Sequence, residues 1–152
     1  LAGCDAVYVT AGDAAAVRRA REAKVLVGTA RALPALAEAG VALDALVASA
    51  KDAGETYRRG DLPVEPELVV RTAGAAGWSW ETAEGARGEW AATPLPGPVE
   101  DAYGCGDSFA AGLTYALGAG MAPADAVQLA ARCGAACLTG RGPYAGQLLS
   151  AD

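Results

Sequence analysis

The run from Asp101 to Asp107, Asp-Ala-Tyr-Gly-Cys-Gly-Asp, combines residue types that could do chemistry. Two glycines flank Cys105 directly before residues with helical spacing. Glycine lets the backbone turn sharply, so that successive N–H groups can point the same way. Such N–H groups, together with the positive end of a helix dipole, bind anions. The sequence therefore predicts an anion site in front of this helix.

Asp107 places a carboxylate at the start of the same helix. An aspartate there is most often an N-cap, and this is the simpler interpretation of the residue taken alone. Beside an anion site it also suits phosphoryl transfer. In that reaction a base takes a proton from an alcohol while hydrogen-bond donors neutralise the moving phosphoryl group.

A second glycine segment, Thr72-Ala-Gly-Ala-Ala-Gly77, follows the apolar run Leu68–Val70. A tight turn at the carboxyl end of a parallel strand is where open α/β sheets bind ligands. Turns of this kind also occur in α/β connections that bind nothing.

Short apolar runs alternate with helical segments in the first half of the chain, which is typical of β-α units around a parallel sheet. The predicted strands are Val7–Val9, Val25–Val27, Leu46–Ala48 and Leu68–Val70. The predicted helices are Ala14–Ala23 with Asp13 as N-cap, Ala32–Ala39 closed by Gly40, and a turn within Glu55–Arg59. Trp78–Thr82 alternates as a half-exposed strand does.

The second half is predicted to be helical. Phe109, Leu113 and Leu117 keep helical spacing, and glycines at 118 and 120 end that helix. A second helix begins at Pro123, since proline is tolerated in a first turn. Its predicted buried face is formed by Val127, Ala131, Ala135 and Leu138. Thr93–Pro98 is predicted to be an extended connection, and Gly140–Gly146 a loop.

Composition excludes several classes of function. The chain has no His, so it lacks Ser-His-Asp and Cys-His catalysis and any His-ligated metal. Its net charge of −6 disfavours broad attraction to nucleic acid or to an anionic membrane. Four cysteines in 152 residues are too few to indicate a disulfide scaffold, and no apolar run is long enough to cross a membrane. These features favour the cytoplasm.

The segment Asp101–Gly112 resembles the second signature of the ribokinase-like, PfkB-type carbohydrate kinases, Asp-Thr-x-Gly-Ala-Gly-Asp-x-Phe-x-x-Gly. The matching residues are Asp101, Gly104, Gly106, Asp107, Phe109 and Gly112. Ala102 and Cys105 stand where the family has Thr and Ala. The resemblance extends over about residues 7–146 and corresponds to the C-terminal half of the family's domain.

The resemblance implies a role for each matching position in the second half of the chain. Asp107 would deprotonate the acceptor hydroxyl, and the N–H groups of Gly104, Cys105, Gly106 and Asp107 would form the anion hole for the γ-phosphate. Asp101 would lie at a site for a monovalent cation such as K⁺. Gly140 would belong to the loop that closes over adenine.

In the first half, Thr72, Gly74 and Gly77 are similar to the family's segment that lines the nucleotide phosphates. Ser49 and Asp52 stand at the positions of the Asn and Glu that order magnesium and phosphate in the family. Both side chains are shorter here, and Glu55 could substitute for Asp52 as a magnesium ligand. A solvated loop is an equally good interpretation of this segment.

Taken together, the resemblance implies a ribokinase-like three-layer αβα fold with a mostly parallel sheet, in which residues 1–152 form the C-terminal nucleotide-binding and catalytic part. Because the only Met is Met121, we expect the chain to be a piece of a longer protein, without the half that holds most sugar contacts and the lid. The implied activity is ATP- and Mg²⁺-dependent phosphorylation of a sugar or related alcohol. The implied partners are that small molecule and a second copy bound through the lid.

Two other functions remain open on the sequence. Changes at residues 49, 52, 102 and 105 are compatible with a degenerate relative that binds nucleotide without transferring phosphate. A dinucleotide-binding domain would require Gly-x-Gly-x-x-Gly directly after the first strand, and Thr10-Ala-Gly-Asp13 does not supply it.

Overall fold

The computed structural model describes residues 1–148, which pack as two compact units divided after Ala91. The first unit is a six-stranded sheet in the order β1-β2-β3-β4-β5-β6. Its strands are β1 (Ala6–Val9), β2 (Val25–Thr29), β3 (Ala45–Ser49), β4 (Leu68–Thr72), β5 (Trp78–Thr82) and β6 (Arg87–Trp90). Strands β1 to β4 are parallel, while β5 is antiparallel to both β4 and β6. The predicted, mostly parallel α/β sheet is therefore confirmed.

The helices of this unit are α1 (Ala14–Ala20) and α2 (Leu33–Ala39), the latter preceded by a 3-10 turn at Ala30–Ala32. Asp13 caps α1 as predicted, since its side chain accepts a hydrogen bond of 2.8 Å from the Ala16 N–H. Helix α1 ends at Ala20 instead of Ala23. The reason is that the Arg21 guanidinium donates to the carbonyl oxygens of Ala23 and Lys24, both at 2.9 Å, and holds the chain in a turn.

Strands β2, β3 and β4 are buried on both faces, as parallel strands usually are. On one face Leu26 and Leu46 join a hydrophobic core with Val17 of α1 and Leu36 of α2. On the other face Val27, Val47 and Val70 are also buried. This burial on both faces explains why these strands have continuous apolar sequences.

The connection from β3 to β4 contains a single 3-10 turn at Ala53–Glu55 and no α-helix. The predicted turn within Glu55–Arg59 is therefore wrong. The Asp52 carboxylate accepts from the Gly54 N–H at 2.8 Å and begins the turn earlier, while Thr56 is already extended, with φ −81° and ψ 148°. Tyr57 and Leu62 then join the core of the first unit.

Strands β5 and β6 form a hairpin, of which only β5 was predicted. Trp78 of β5 stacks on Trp90 of β6 with 4.6 Å between ring centroids. All three tryptophans of the chain lie in this hairpin. Aromatic cross-strand pairs of this kind stabilise antiparallel pairing.

The described residues of the second unit contain two helices, α3 (Cys105–Gly118) and α4 (Pro123–Cys137), and both were predicted. Phe109 and Leu113 of α3 and Val127 of α4 are buried. The two helices approach closely at Gly112, where an added Cβ would lie 2.7 Å from the Cys133 Sγ. Among residues 1–148, no helix has the length and apolar character needed to span a membrane.

Candidate functional site

In the first unit, the predicted nucleotide segment begins where β3 and β4 end side by side. Ser49 of β3 is in register with Thr72 of β4. The Ala50 N–H donates to the Thr72 carbonyl oxygen at 2.8 Å, and the Thr72 hydroxyl donates to the Ala48 carbonyl oxygen at 3.4 Å. The two segments that the sequence assigned to phosphate and magnesium therefore lie together at one sheet edge.

The two glycines of the turn after β4 have different surroundings. Gly77 has a φ of +97°, and an added Cβ would lie 2.0 Å from the Trp90 carbonyl oxygen, so that the hairpin can close only with glycine here. Gly74 has a φ of +58°, and an added Cβ would lie 3.2 Å from the Lys51 Nζ. Packing against the Trp90 backbone thus requires glycine at position 77. Gly74 is the residue of the turn that lies nearest to the Lys51 ammonium group.

Lys51 is a candidate site residue that no sequence motif indicated. Its ammonium group lies over the Gly74 turn, and the side chain is exposed. A compact positive charge beside a glycine turn suits the binding of phosphate oxygens. The signal available in the sequence was the place of Lys51 between Ser49 and Asp52, directly after a strand.

The two acidic residues predicted as magnesium ligands already have partners in the chain. One oxygen of the Asp52 carboxylate accepts from the Gly54 N–H. The Glu55 carboxylate accepts from the Arg31 guanidinium, with 2.9 Å to its Nε. Among the described residues, no group of three or more His, Cys, Asp or Glu side chains could hold a metal. Mg²⁺ is usually bound by one or two carboxylates, waters and substrate phosphates, and the second oxygen of Asp52 fits that role.

A cleft of about 440 Å³ opens beside the Gly74 turn, within the first unit. Small side chains at Ala50, Ala73 and Ala76 form part of its wall. Arg71 and Glu89 contribute charged groups, and Arg71 is paired with Glu81 at 2.9 Å. The turn therefore borders an open, mixed polar and apolar space and is not packed against protein on that side.

In the second unit, the predicted anion site is the beginning of α3. Gly104 is the N-cap residue, with a φ of 86°, and an added Cβ would lie 2.6 Å from the Pro143 Cβ. Asp107 lies in the first turn of α3 and is exposed, so the interpretation of Asp107 as the N-cap is wrong. Only glycine fits the backbone angle and the contact at position 104.

The space in front of Gly106 is open. An added Cβ on Gly106 would meet no atom within 4 Å, and Gly106 and Asp107 are both exposed. The first N–H groups of an α-helix have no acceptor within the helix. The N–H group of Gly106 is therefore in the position that an anion site requires.

Asp101 connects this helix start to the glycine-rich loop. Its carboxylate accepts from the Tyr103 N–H at 2.9 Å and from the Gly142 N–H at 3.0 Å. These backbone hydrogen bonds hold the pKa of Asp101 below its ordinary value. Each carboxylate oxygen thus has a backbone donor at the place where the resemblance implied a monovalent cation.

Gly140 and Gln147 fix the path of the loop. An added Cβ on Gly140 would lie 2.1 Å from the Gly146 nitrogen, so glycine is required where the loop crosses itself. The Gln147 amide donates to the buried Ser108 hydroxyl at 2.6 Å and to the Pro143 carbonyl oxygen at 2.5 Å. Gln147 therefore connects the loop to the residue that follows Asp107, a contact that no sequence motif indicated.

Comparison with known proteins agrees with this geometry. The family model described as "pfkB family carbohydrate kinase" matches residues 21–148. No curated protein matches the chain significantly.

Among solved structures, a microbiome-derived acarbose kinase matches with 22% identity and a TM-score of 0.72, over 93% of this chain and 52% of its own. Aminoimidazole riboside kinase from Salmonella enterica, bound to aminoimidazole riboside and an ATP analogue, matches with 22% identity and a TM-score of 0.69, over 88% and 52%. A candidate ribokinase II from E. coli, in complex with ATP and Mg²⁺, matches with 21% identity and a TM-score of 0.68, over 86% and 47%.

The chain spans about half the length of these structures, and the structural likeness confirms the ribokinase-like α/β fold. The family model covers most of the chain, from the end of α1 through the Gly140–Gly146 loop. The chain therefore belongs to the PfkB family of carbohydrate kinases.

Proposed function

We propose that the protein transfers the γ-phosphate of ATP to a hydroxyl of a sugar or related small alcohol. The main support is the start of α3, where the exposed Asp107 carboxylate lies next to Gly106, whose front is open. This arrangement places a proton acceptor beside N–H groups that can neutralise negative charge. Family membership supports the same reaction class.

Each group of residues then has a chemical task. Asp107 would accept the proton of the attacking hydroxyl. The Gly106 N–H at the start of α3 would stabilise the charge that develops on the transferred phosphoryl group, whereas the Cys105 N–H already donates to the Ala102 carbonyl oxygen at 3.5 Å. At the first unit's sheet edge, Thr72, Gly74 and Lys51 would bind nucleotide phosphates.

Magnesium fits this proposal through Asp52, which retains one carboxylate oxygen not engaged by the Gly54 N–H. When bound with ATP, Mg²⁺ would neutralise charge on the phosphate oxygens. Two of the matching structures contain an ATP analogue or ATP with Mg²⁺. The partners already present on Asp101 give a monovalent cation weaker support than magnesium.

The test is ADP formation by the intact protein with ATP and Mg²⁺, measured with and without acceptors. Suitable acceptors are ribose, fructose phosphates, ketodeoxygluconate and adenosine. We expect one class of acceptor to stimulate ADP formation strongly. If the protein binds nucleotide but no acceptor stimulates ADP formation, the result would favour a degenerate relative that does not transfer phosphate. In such a relative Glu55 would remain paired with Arg31. Binding of a nicotinamide cofactor and not of ATP would overturn the proposal.

A further inference from the structure

The segment that precedes α3 and the Gly140–Gly146 loop are joined by hydrogen bonds whose donors belong to the chain itself. Asp101 Oδ1 accepts from the Tyr103 N–H at 2.9 Å, and Asp101 Oδ2 accepts from the Gly142 N–H at 3.0 Å. An N–H hydrogen carries partial positive charge and stabilises a carboxylate. Both oxygens of the carboxylate that the resemblance placed beside a monovalent cation therefore already have donors.

Carbonyl oxygens of the same two segments also have donors. The Ala102 carbonyl oxygen accepts from the Cys105 N–H at 3.5 Å, and the Asp101 carbonyl oxygen accepts from the Cys105 thiol at 3.9 Å. In the loop, the Pro143 carbonyl oxygen accepts from the Gln147 amide at 2.5 Å. Proteins bind K⁺ through oxygens of this kind, which replace the hydration shell of the ion. The oxygens that a cation would need here are thus engaged by the chain.

Cys137, the last residue of α4, is buried and lies within reach of both segments. Its Sγ lies 3.7 Å from the Tyr103 carbonyl oxygen and 3.9 Å from the Pro143 carbonyl oxygen. A thiol is a weak donor, and these two carbonyl oxygens share it. An added Cβ on Gly104 would lie 3.9 Å from the same sulfur. Cys137 thus connects the loop to the residue at which the anion site begins.

We propose that the Cys137 thiol, the Gln147 amide and the Gly142 N–H take the place of a monovalent cation, so that the loop and the start of α3 keep their arrangement without K⁺. Ala102 agrees with this assignment, because it stands where the family has Thr and offers a cation no side-chain oxygen. The three donors are positioning groups, which act on the proposed phosphate site through the backbone of the loop and of Gly104. Only this link to phosphate binding rests on the proposed function.

The proposal predicts how the protein responds to different salts. A cation that binds only the folded chain stabilises it by mass action, and the stabilisation grows with the cation concentration. Salt also screens charges, but screening depends on ionic strength, which K⁺, Na⁺ and a large organic cation change equally. If donors of the chain hold the loop, replacing one cation by another at constant ionic strength should change neither the unfolding midpoint nor the affinity for phosphate.

The first experiment measures the intact protein in KCl, NaCl and tetramethylammonium chloride at equal ionic strength. Thermal unfolding gives the midpoint in each salt, and calorimetric titration gives the Kd for inorganic tripolyphosphate. We expect the same midpoint within error and Kd values that agree within about twofold, because no specific cation is bound at the loop. A midpoint that is higher in KCl than in both other salts, or a Kd that is about fivefold or more lower in KCl, would overturn the proposal.

The second experiment replaces Cys137 by Ala and by Ser in the intact protein. Alanine removes the donor, whereas the serine hydroxyl keeps one. We expect trypsin to cleave after Arg141 about tenfold or more faster in Cys137→Ala than in the parent, and Cys137→Ser to stay close to the parent, because cleavage follows the population of the opened loop. Cys133→Ala is the control, since Cys133 lies on the same helix and packs against Gly112 of α3. It should be cleaved at the parent's rate.

Equal cleavage of Cys137→Ala and Cys137→Ser would show that Cys137 does not act as a donor, since serine differs from alanine only in the hydroxyl. Circular dichroism verifies that both variants are folded, and if neither folds, the salt series on the parent decides the proposal. If the parent does not bind tripolyphosphate in any salt, the proposed phosphate site fails, whereas the unfolding midpoints still decide whether a cation holds the loop.

Discussion

The backbone N–H of Gly142 donates to the Asp101 carboxylate at 3.0 Å, across a long separation in sequence. Asp101 also accepts from the Tyr103 N–H at 2.9 Å. The Asp101 carboxylate thus connects the Gly140–Gly146 loop to the segment that precedes α3. Since Gly104 packs on Pro143 of the same loop, the shape of the anion site depends on this connection.

Replacing Asp101 with Asn should loosen that connection. An amide presents one NH₂ group where the carboxylate presents an acceptor, so one of the two backbone donors loses its partner. We expect Asp101→Asn to lower the midpoint of thermal unfolding and to expose the loop to limited proteolysis. Glu84→Gln, in the exposed turn of the hairpin, removes the same charge and is the control. Equal protease resistance of Asp101→Asn and the parent would contradict the role assigned to Asp101.

The pKa of Asp101 gives this prediction a pH dependence. Because backbone hydrogen bonds lower its pKa in the folded state, the unfolded chain binds its proton more readily. The stabilisation is present above the ordinary carboxyl pKa of about 4 and is lost as the pH falls through the folded value. The difference in unfolding midpoint between parent and Asp101→Asn should therefore shrink in acid. Measurements at neutral pH and at the acid end of the range check this.

The Gly106→Ala variant distinguishes the stability of α3 from its proposed role in phosphate binding. An added Cβ meets no atom within 4 Å, and alanine is favoured over glycine within a helix by roughly 0.5–1 kcal/mol. We expect the variant to be as stable as the parent or slightly more stable. The methyl group projects into the space proposed for phosphate, so tripolyphosphate affinity should fall. Calorimetric titration and urea unfolding on the same samples measure both effects, and unchanged affinity would count against the anion site.

Lys51→Gln tests the phosphate-binding edge of the sheet. The Lys51 ammonium lies over the Gly74 turn, and its loss should weaken tripolyphosphate binding and make the remaining binding less sensitive to salt. Lys24, the other lysine of the chain, is paired with Asp5 at 2.7 Å, and Lys24→Gln is the control. If both variants weaken binding equally, the effect arises from net charge and not from the position of Lys51.

Gln147→Leu should destabilise the second unit. The variant leaves the buried Ser108 hydroxyl without its Gln147 donor, and an unsatisfied buried polar group costs roughly 1–3 kcal/mol. Gln128→Leu, on the exposed face of α4, is the matched control. The free energy of unfolding in urea, measured for both variants, should fall for Gln147→Leu only.

The first four strands and all four helices were predictable because local pattern and burial agree there. Continuous apolar runs such as Leu46–Ala48 indicate a strand buried on both faces, and Asp13 and Gly40 mark helix ends by their own chemistry. Strand β6 was not predictable. Arg87-Gly88-Glu89-Trp90 has no apolar alternation, and it is a strand because Trp90 stacks on Trp78 across the hairpin.

The glycines of the candidate site could be predicted from the sequence, whereas the contacts between its residues could not. Sequence indicates that Gly104 and Gly74 allow unusual backbone angles, and both have positive φ. It does not show that Gly77 is needed for contact with the Trp90 backbone, that Gln147 reaches Ser108, or that Lys51 lies over Gly74. These relationships join residues from different elements, and they exist only once the chain has folded.

The assignment of Asp107 as the base has its most direct test in the turnover rate of the Asp107→Asn variant of the intact protein. With the acceptor that supports ADP formation, removal of the general base should lower kcat by about 10²–10⁴-fold. The Kd for ATP should change little, and Asp125→Asn, in the first turn of α4, should keep the parent rate. If Asp107→Asn turns over as fast as the parent, the assignment of Asp107 as the base is wrong.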